Sequence, residues 1–311
     1  MVNKEKNFVS CVIYVHNAEA RISSFLQMVM DVMEEHFEHS EIICVNDSSD
    51  DESEKRIKEV SLSARSTSIT ILNMSYFHGV ELAMNAGVDL AIGDFVFEFD
   101  TTVVDYDKSE IMKVYRRALE GYDIVSAAPD RKEKLSSKIF YTVFDRFTNL
   151  SYQLSTESFR ILSRRVINRI SSMNKAVPYR KVIYATCGLK SDRIIYHSDD
   201  RQVGLDNKEQ KYRRALAVDS LILFTEMGYR FSVTMTVIMM LISVFAVAYS
   251  MITYLVSNPV AGWTTTILFL SVAFFGLFGI LTIIIKYLQL LIELVFKRKR
   301  YNFESIEKLT K

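Results

Sequence analysis

GDFVFEFDTT, Gly93 to Thr102, is an apolar run that ends on one aspartate, Asp100, followed by two threonines. Its aromatic and β-branched content predicts a buried strand. Strand alternation puts Glu98 on the same side as Asp100. A charge inside such a run needs a partner, so Glu98 reads as a strand acid facing one. Asp100 falls at the carboxyl end of the strand, the edge at which open α/β sheets bind their ligands.

Towards the N-terminus the same kind of run recurs. FVSCVIYV, EIICVND and SITILNM are apolar and rich in β-branched residues, while RISSFLQMVMDVMEEHF, DESEKRIKEVSLSA and HGVELAMNAGVDLAI have helical spacing. The helix opening at Asp51 has an acidic first turn, which suits its N-terminal dipole. Alternation with short links predicts βαβ units and a mostly parallel sheet with helices on both faces. The predicted strand ends are polar: Asn17 and Glu19, Asn46 and Asp47, and Asp100. Each alone is an ordinary turn or cap residue; at successive strand ends they mark one edge. No Gly-x-Gly-x-x-Gly follows the first strand and no Gly-Lys-Ser/Thr loop occurs, which excludes the usual dinucleotide and P-loop sites.

Towards the C-terminus, SEIMKVYRRALEGYDIVSAAP reads as helix then strand, and SFRILSRRVINRI carries Arg160 just before a short helix. Between them, LSSKIFYTVFDRFTNLSYQL has aromatics at helical spacing, fitting either a core helix or one lying in a membrane interface. DNKEQKYRRALAVDSLILFTEMGYR is basic and amphipathic, as expected of a segment on a membrane surface.

The last third is different again. From Phe231 to Val256 there is no charged residue, and a second uncharged span begins at Thr264 and ends before Lys286. Each is long enough to cross ~30 Å of hydrocarbon as a helix. Pro259 and Gly262 break the chain between them. Arg213, Arg214 and Arg230 precede the first span, and Lys297 to Arg300 follow the second, so both ends are expected on the cytoplasmic side of a multi-pass membrane protein. Trp263, Tyr254 and Tyr287 are candidate interfacial anchors, and the apolar character of 286–296 predicts a second helix that runs on or bends.

The expected organisation is therefore a domain over 1–200, a juxtamembrane segment over 201–230, two spans within 231–296 (231–256 and 264–286), and a basic tail over 297–311. The chain has 311 residues, a formal net charge of +1 and 49% hydrophobic content, with the excess concentrated after Arg230. The charge balance argues against a nucleic-acid partner. The N-terminus lacks a signal-peptide pattern. Cys11, Cys44 and Cys187 have no metal-site spacing and read as reduced core thiols.

In order and spacing these segments resemble the family 2 inverting glycosyltransferases with a GT-A fold, and within them the polyisoprenyl-phosphate glycosyltransferases. VIYVHNAE stands at the family's Pro-Val-Tyr-Asn-Glu, IICVNDSSDDES at Val-Asp-Asp-Gly-Ser-x-Asp, and GDFVFEFD at the strand leading into Asp-x-Asp. SFRILSRRV stands at Phe-Arg-Leu-x-Ser-Arg-Arg, and KEQKYRRALAVDSLILF at the juxtamembrane Lys-Tyr segment. The resemblance implies transfer of a hexose from a nucleotide sugar, such as UDP-glucose or UDP-GlcNAc, to polyprenyl phosphate. It implies nucleotide-sugar binding by Val15, Asn17, Glu19, Asp47 and Asp100. Asp100 and Glu157 would be catalytic, and Arg131, Arg160, Arg201 and Lys211 would face phosphates. Mg²⁺ or Mn²⁺ would sit at Asp100 and Thr102, and family members include homo-oligomers. Departures are also visible. Thr102 stands at the second acid of Asp-x-Asp, Ser158 at the aspartate before Phe-Arg, Asn46 at an acid, and Tyr14 at a proline. They leave open a site with weakened metal binding at Asp100, one that uses Glu98 or Asp105 instead, or a copy that no longer turns over; a transferase with another acceptor is a separate alternative.

Overall fold

The architecture is that of a computed structural model, which describes residues 4–130, 156–172, 179–198, 227–256, 262–295 and 301–310. The chain divides into two compact units, Met1–Ala217 with Arg298–Lys311, and Val218–Lys297. Neither the aromatic segment at 135–154 nor residues 201–226 of the basic amphipathic segment lie among the described residues.

In the first unit, β1 (Val9–Val15), α1 (Glu19–His36), β2 (Ser40–Asn46), α2 (Ser53–Ser61), β3 (Ser68–Met74), α3 (Val80–Leu90) and β4 (Phe95–Phe99) follow in the alternation that the sequence predicts. After them come α4 (Ser109–Leu119), β5 (Ile124–Pro129), β6 (Phe159–Ser163), α5 (Arg164–Ser172), α6 (Arg180–Thr186), β7 (Ser191–Tyr196) and β8 (Phe303–Lys308). The strands form one sheet in the order β7-β5-β6-β4-β1-β2-β3-β8. Strands β4, β1, β2 and β3 run parallel, whereas β6 lies antiparallel between β4 and β5 and β8 is antiparallel to β3. The sheet is therefore mixed, as in GT-A-like α/β folds.

Both faces are covered, which is why the central strands read as continuous apolar runs. Along β1, Val9, Cys11, Ile13 and Val15 pack on the face of α1, α2 and α4, while Val12 and Tyr14 pack on the face of α3, α5 and α6. The two sets alternate with the pleat of the strand. Gly87 lets α3 lie close on the sheet: a Cβ there would come within 2.4 Å of Val12 Cγ1 and 2.6 Å of Val45 Cγ2.

The C-terminal segment differs from the expected tail. Residues 303–308 form an edge strand, with Leu72 opposite Ile306, and the side chain of Asn73 donates to Ser305. The alternation FESIEK is compatible with a strand having one half-covered face, but it finds its partner more than 200 residues away in sequence. In the sequence, its charge alone reads as a tail.

The second unit holds α7 (Met227–Val256) and α8 (Trp263–Val295), which pack together. Thr282 donates to Thr236 across the pair at 3.0 Å, and Gly279 admits the end of Met240. Within them Val233–Val256 and Trp263–Leu288 are long and apolar enough to span a membrane. Their outward side chains are large and apolar, with Phe245 72% and Leu255 81% exposed. A contiguous apolar surface of this kind calls for a non-aqueous neighbour. Helix α8 continues past Lys286, as the apolar character of that stretch predicts.

Candidate functional site

The site lies at the carboxyl ends of β1, β2 and β4. The loops after β1 and β2 are fastened to each other. Asn17, at φ 47°, accepts from the backbone N–H of Asp50, and its own N–H donates to Ser49 Oγ. Ala18 N–H donates to Ser53 Oγ, Glu19 N–H to Asp51, and Glu52 N–H to Glu19 Oε2. Asn17 is among the residue types that tolerate the left-handed region. Val15 is fully buried, so only its backbone is available near the edge, and its carbonyl accepts from Asp47 N–H.

Asp47 is also fully buried. Its Oδ1 accepts from His78 N–H, and its Oδ2 accepts from Gly79 N–H and, at 3.1 Å, from the Tyr14 hydroxyl. Burial pushes its pKa up, and the backbone bonds from His78 and Gly79 offset only part of that. Asp47 thus fastens the chain entering α3. His16 donates from Nδ1 to the Asp47 carbonyl, and its ring lies 4.7 Å from that of Phe77. Its Nε2 is buried with no hydrogen-bond partner among the described residues.

The end of β4 is built from charges. Glu98 and Arg160 are directly opposite each other on β4 and β6. Arg160 donates from Nη1 to Glu98 at 2.7 Å, from Nη2 to Asp100 at 2.9 Å and from Nε to Glu157 at 3.1 Å. A second arginine enters from α6. Arg180 donates from Nη1 to Glu98, from Nη2 to Asp100 Oδ1, and from Nε to Glu81 at 3.0 Å, while its backbone N–H also meets Glu81. One turn on, Tyr184 donates its hydroxyl to Glu98, and its ring lies 5.5 Å from the Arg160 guanidinium carbon. The arginine side chains are 2% and 1% exposed, Glu98 is fully buried, and Asp100 is the outermost member at 20%.

Burial works to raise the Asp100 pKa, but Arg160, Arg180 and Lys181 together hold it well below the usual carboxylate range. Glu157 is lowered in the same way, with burial opposed by Lys181 and Arg160. The carboxylates around both guanidiniums outweigh the burial that would discharge them. Buried charges persist where they are paired and hydrogen-bonded, and here they are.

Asp100, Glu157 and Arg160 therefore come together, and Glu98 is the partner-facing acid that its place in the strand predicts. Arg131, Arg201 and Lys211 lie outside the described residues. Sequence reasoning missed Arg180, Glu81 and Tyr184. For Glu81 and Arg180 the one local signal is a charge next to apolar helical spacing, and Tyr184 carries none.

The expected Mg²⁺ or Mn²⁺ at Asp100 and Thr102 is not matched by this donor set. Each Asp100 oxygen accepts from a guanidinium, and Thr102 offers a neutral hydroxyl on a buried residue. Among the described residues no group of three or more His, Cys, Asp or Glu could hold a metal ion. A divalent cation at Asp100 would sit against two fixed positive charges.

A second cluster lies on the β5 and β7 side. The Tyr196 hydroxyl donates to Asp105 at 2.7 Å and is hydrogen-bonded to Ser158, whose own hydroxyl reaches Asp105 at 3.3 Å. Ser158 thus meets an acid from the loop after β4.

Residues 10–172, just over half the chain, match Glycosyl transferase family 2. The chain belongs to this family. Among its relatives, an uncharacterized glycosyltransferase of Synechocystis is 29% identical over 204 residues, covering 63% of each chain. This protein thus spans less than two thirds of that relative. The bactoprenol glucosyl transferase of Shigella phage SfV is 25% identical over 279 residues, covering 86% of this chain and 88% of the phage protein. The fold is also similar to that of glucosyl-3-phosphoglycerate synthase from Mycobacterium tuberculosis, solved with Mn²⁺ and UDP-glucose. That likeness has a TM-score of 0.50 at 16% identity, over 69% of this chain and 79% of that one.

Proposed function

We propose that this family 2 glycosyltransferase moves a hexose from a nucleotide sugar, of the UDP-glucose or UDP-GlcNAc class, to polyprenyl phosphate at the cytoplasmic membrane face. The observation that carries this is the reach of the similarity to bactoprenol glucosyl transferases. It extends over 279 residues, beyond the family match at 10–172 and into the part of the chain that holds the two apolar helices. An acceptor that lives in a membrane fits a transferase with its own apolar hairpin. Basic residues on the outer flanks of both spans support a catalytic domain on the cytoplasmic side.

The chemistry asks little of a general base. A phosphate monoester has a second pKa of about 6 and is already anionic near neutrality. Positioning two anions and neutralising the departing diphosphate is the harder task. In this reading the fastened loops at Asn17, Glu19 and Asp47, with the Val15 backbone, shape the nucleotide cradle. Arg131, Arg201 and Lys211 meet the phosphate of the lipid. Glu157 acts by holding Arg160, not by touching the reacting atoms. Mg²⁺ or Mn²⁺ is left out, because the oxygens that would hold it are taken by arginines.

A transfer screen tests the proposal. Purified protein is incubated with undecaprenyl phosphate and radiolabelled UDP-glucose, UDP-GlcNAc and other nucleotide sugars, and the lipid phase is counted. Label in the lipid phase with at least one donor is expected. Nucleotide-sugar binding without transfer on any pair would contradict the proposal and favour a non-catalytic homologue.

A further inference from the structure

We propose that Arg160 and Arg180 take the place of the divalent cation in this chain. Asp100 is then their ion-pair partner and not a metal ligand, and the diphosphate leaving group is neutralised by guanidinium N–H groups. The inference rests on the nucleotide-sugar reading above and adds which charges do the work.

Three features carry it. The first is occupancy. The two Asp100 oxygens are each claimed by a different guanidinium, through Arg160 Nη2 at 2.9 Å and Arg180 Nη2 at 2.5 Å. The position two residues on, where a second acid would complete a cation site, is Thr102. The second is like-charge repulsion. Arg160 and Arg180 both point a guanidinium nitrogen at Asp100, and Lys181 lies beside Glu157. A dication at Asp100 would lie against both guanidiniums, and like charges held close in a buried site are costly.

The third is anchorage. Arg160 is fixed on β6 opposite Glu98, and Arg180 begins α6 with its backbone N–H bonded to Glu81. Neither guanidinium is a surface side chain free to move aside for a metal. Each Nη2 carries two N–H groups and gives one to Asp100. The proposed diphosphate contact is with the remaining N–H of each Nη2, on the side of Asp100, the most exposed of the paired acids.

The transfer step balances without a metal. A phosphate oxygen of the acceptor forms a bond to the anomeric carbon as the bond from that carbon to the diphosphate oxygen breaks. The bonding pair leaves with the diphosphate, which gains one negative charge. Preorganised guanidinium donors stabilise that charge as it develops.

The test is nucleotide binding by calorimetry on the full chain in detergent, with UDP and, in parallel, GDP, in EDTA and in Mn²⁺. The expected result is a Kd that changes by no more than about threefold between the two conditions. A larger loss of affinity in EDTA would overturn the inference and leave the functional proposal standing. No binding of either nucleotide in either condition would sink the nucleotide-sugar reading and the inference with it. Arg180→Gln adds a second arm: weaker binding in EDTA is expected, with part of the loss recovered by Mn²⁺ once Asp100 Oδ1 is released. Unchanged EDTA binding by a folded Arg180→Gln protein would remove Arg180 from the role.

Discussion

Asp47 and Asp100 close neighbouring parts of the same sheet edge, and both have their carboxylate oxygens occupied. They are occupied in opposite ways. Asp47 is held by two backbone N–H groups and a tyrosine hydroxyl, and its pKa is raised by burial. Asp100 is held by two guanidiniums and is lowered well below the usual range despite burial. One acid fastens a loop and the other belongs to a charge network. The same residue type at equivalent strand ends therefore does two jobs, and its partners decide which.

The widest split between the two acids comes from removing a partner. Arg180→Ala strands Glu81, Glu98 and Asp100 beside one remaining arginine, and breaking a buried pair in this way costs roughly 3–5 kcal/mol. In a domain of this size that is about 10 °C of Tm, read by thermal unfolding in detergent. At the other strand end, Asp47→Ala leaves two buried N–H groups without their acceptor, for about 2 kcal/mol. A loss at Asp47 as large as at Arg180 would erase the distinction.

A control on packing falls in the same range as Asp47→Ala. Gly87→Ala pushes a methyl into Val12 and Val45 and costs about 1–3 kcal/mol through overpacking, with no change in nucleotide affinity beyond that of stability. The smallest effect expected is at the edge strand. Ser305→Ala removes one hydrogen bond to Asn73, worth about 1 kcal/mol, and loosens the β3–β8 pairing as seen by faster amide exchange in 303–308.

The two acids also differ in the sign of their pH dependence. For Asp100, folded pKa below unfolded, stability is present above the unfolded value near 4 and is lost as pH falls towards the folded one. For Asp47, folded pKa above unfolded, stability declines instead as pH rises through the interval just above about 4. Asp100→Asn should flatten the acid limb of the Tm–pH profile, and Asp47→Asn the limb above it. Identical profiles for the two variants would contradict the comparison.

Much of the fold was legible because its signals are local. Strand and helix periods, short links and two uncharged spans all lie within windows of a few turns. The edge strand β8 was not, since FESIEK shows its role only beside β3. The site was legible in part. Glu98 announced a need for a partner, because a carboxylate inside FVFEF cannot stay alone. Which partner it takes depends on β6 running antiparallel to β4 and on α6 arriving from elsewhere in the chain, and neither is a property of nearby residues. For the same reason Asp47 and Asp100 look alike in sequence.

The central claim is that this chain glycosylates a lipid phosphate with a counter-charge of its own. It is tested most directly by transfer of radiolabelled sugar from UDP-glucose or UDP-GlcNAc to undecaprenyl phosphate in EDTA-treated membranes containing the full chain. The account predicts label in the lipid phase in EDTA, and its loss in Arg160→Ala and Arg180→Ala. Transfer that appears only when Mn²⁺ is restored would contradict it.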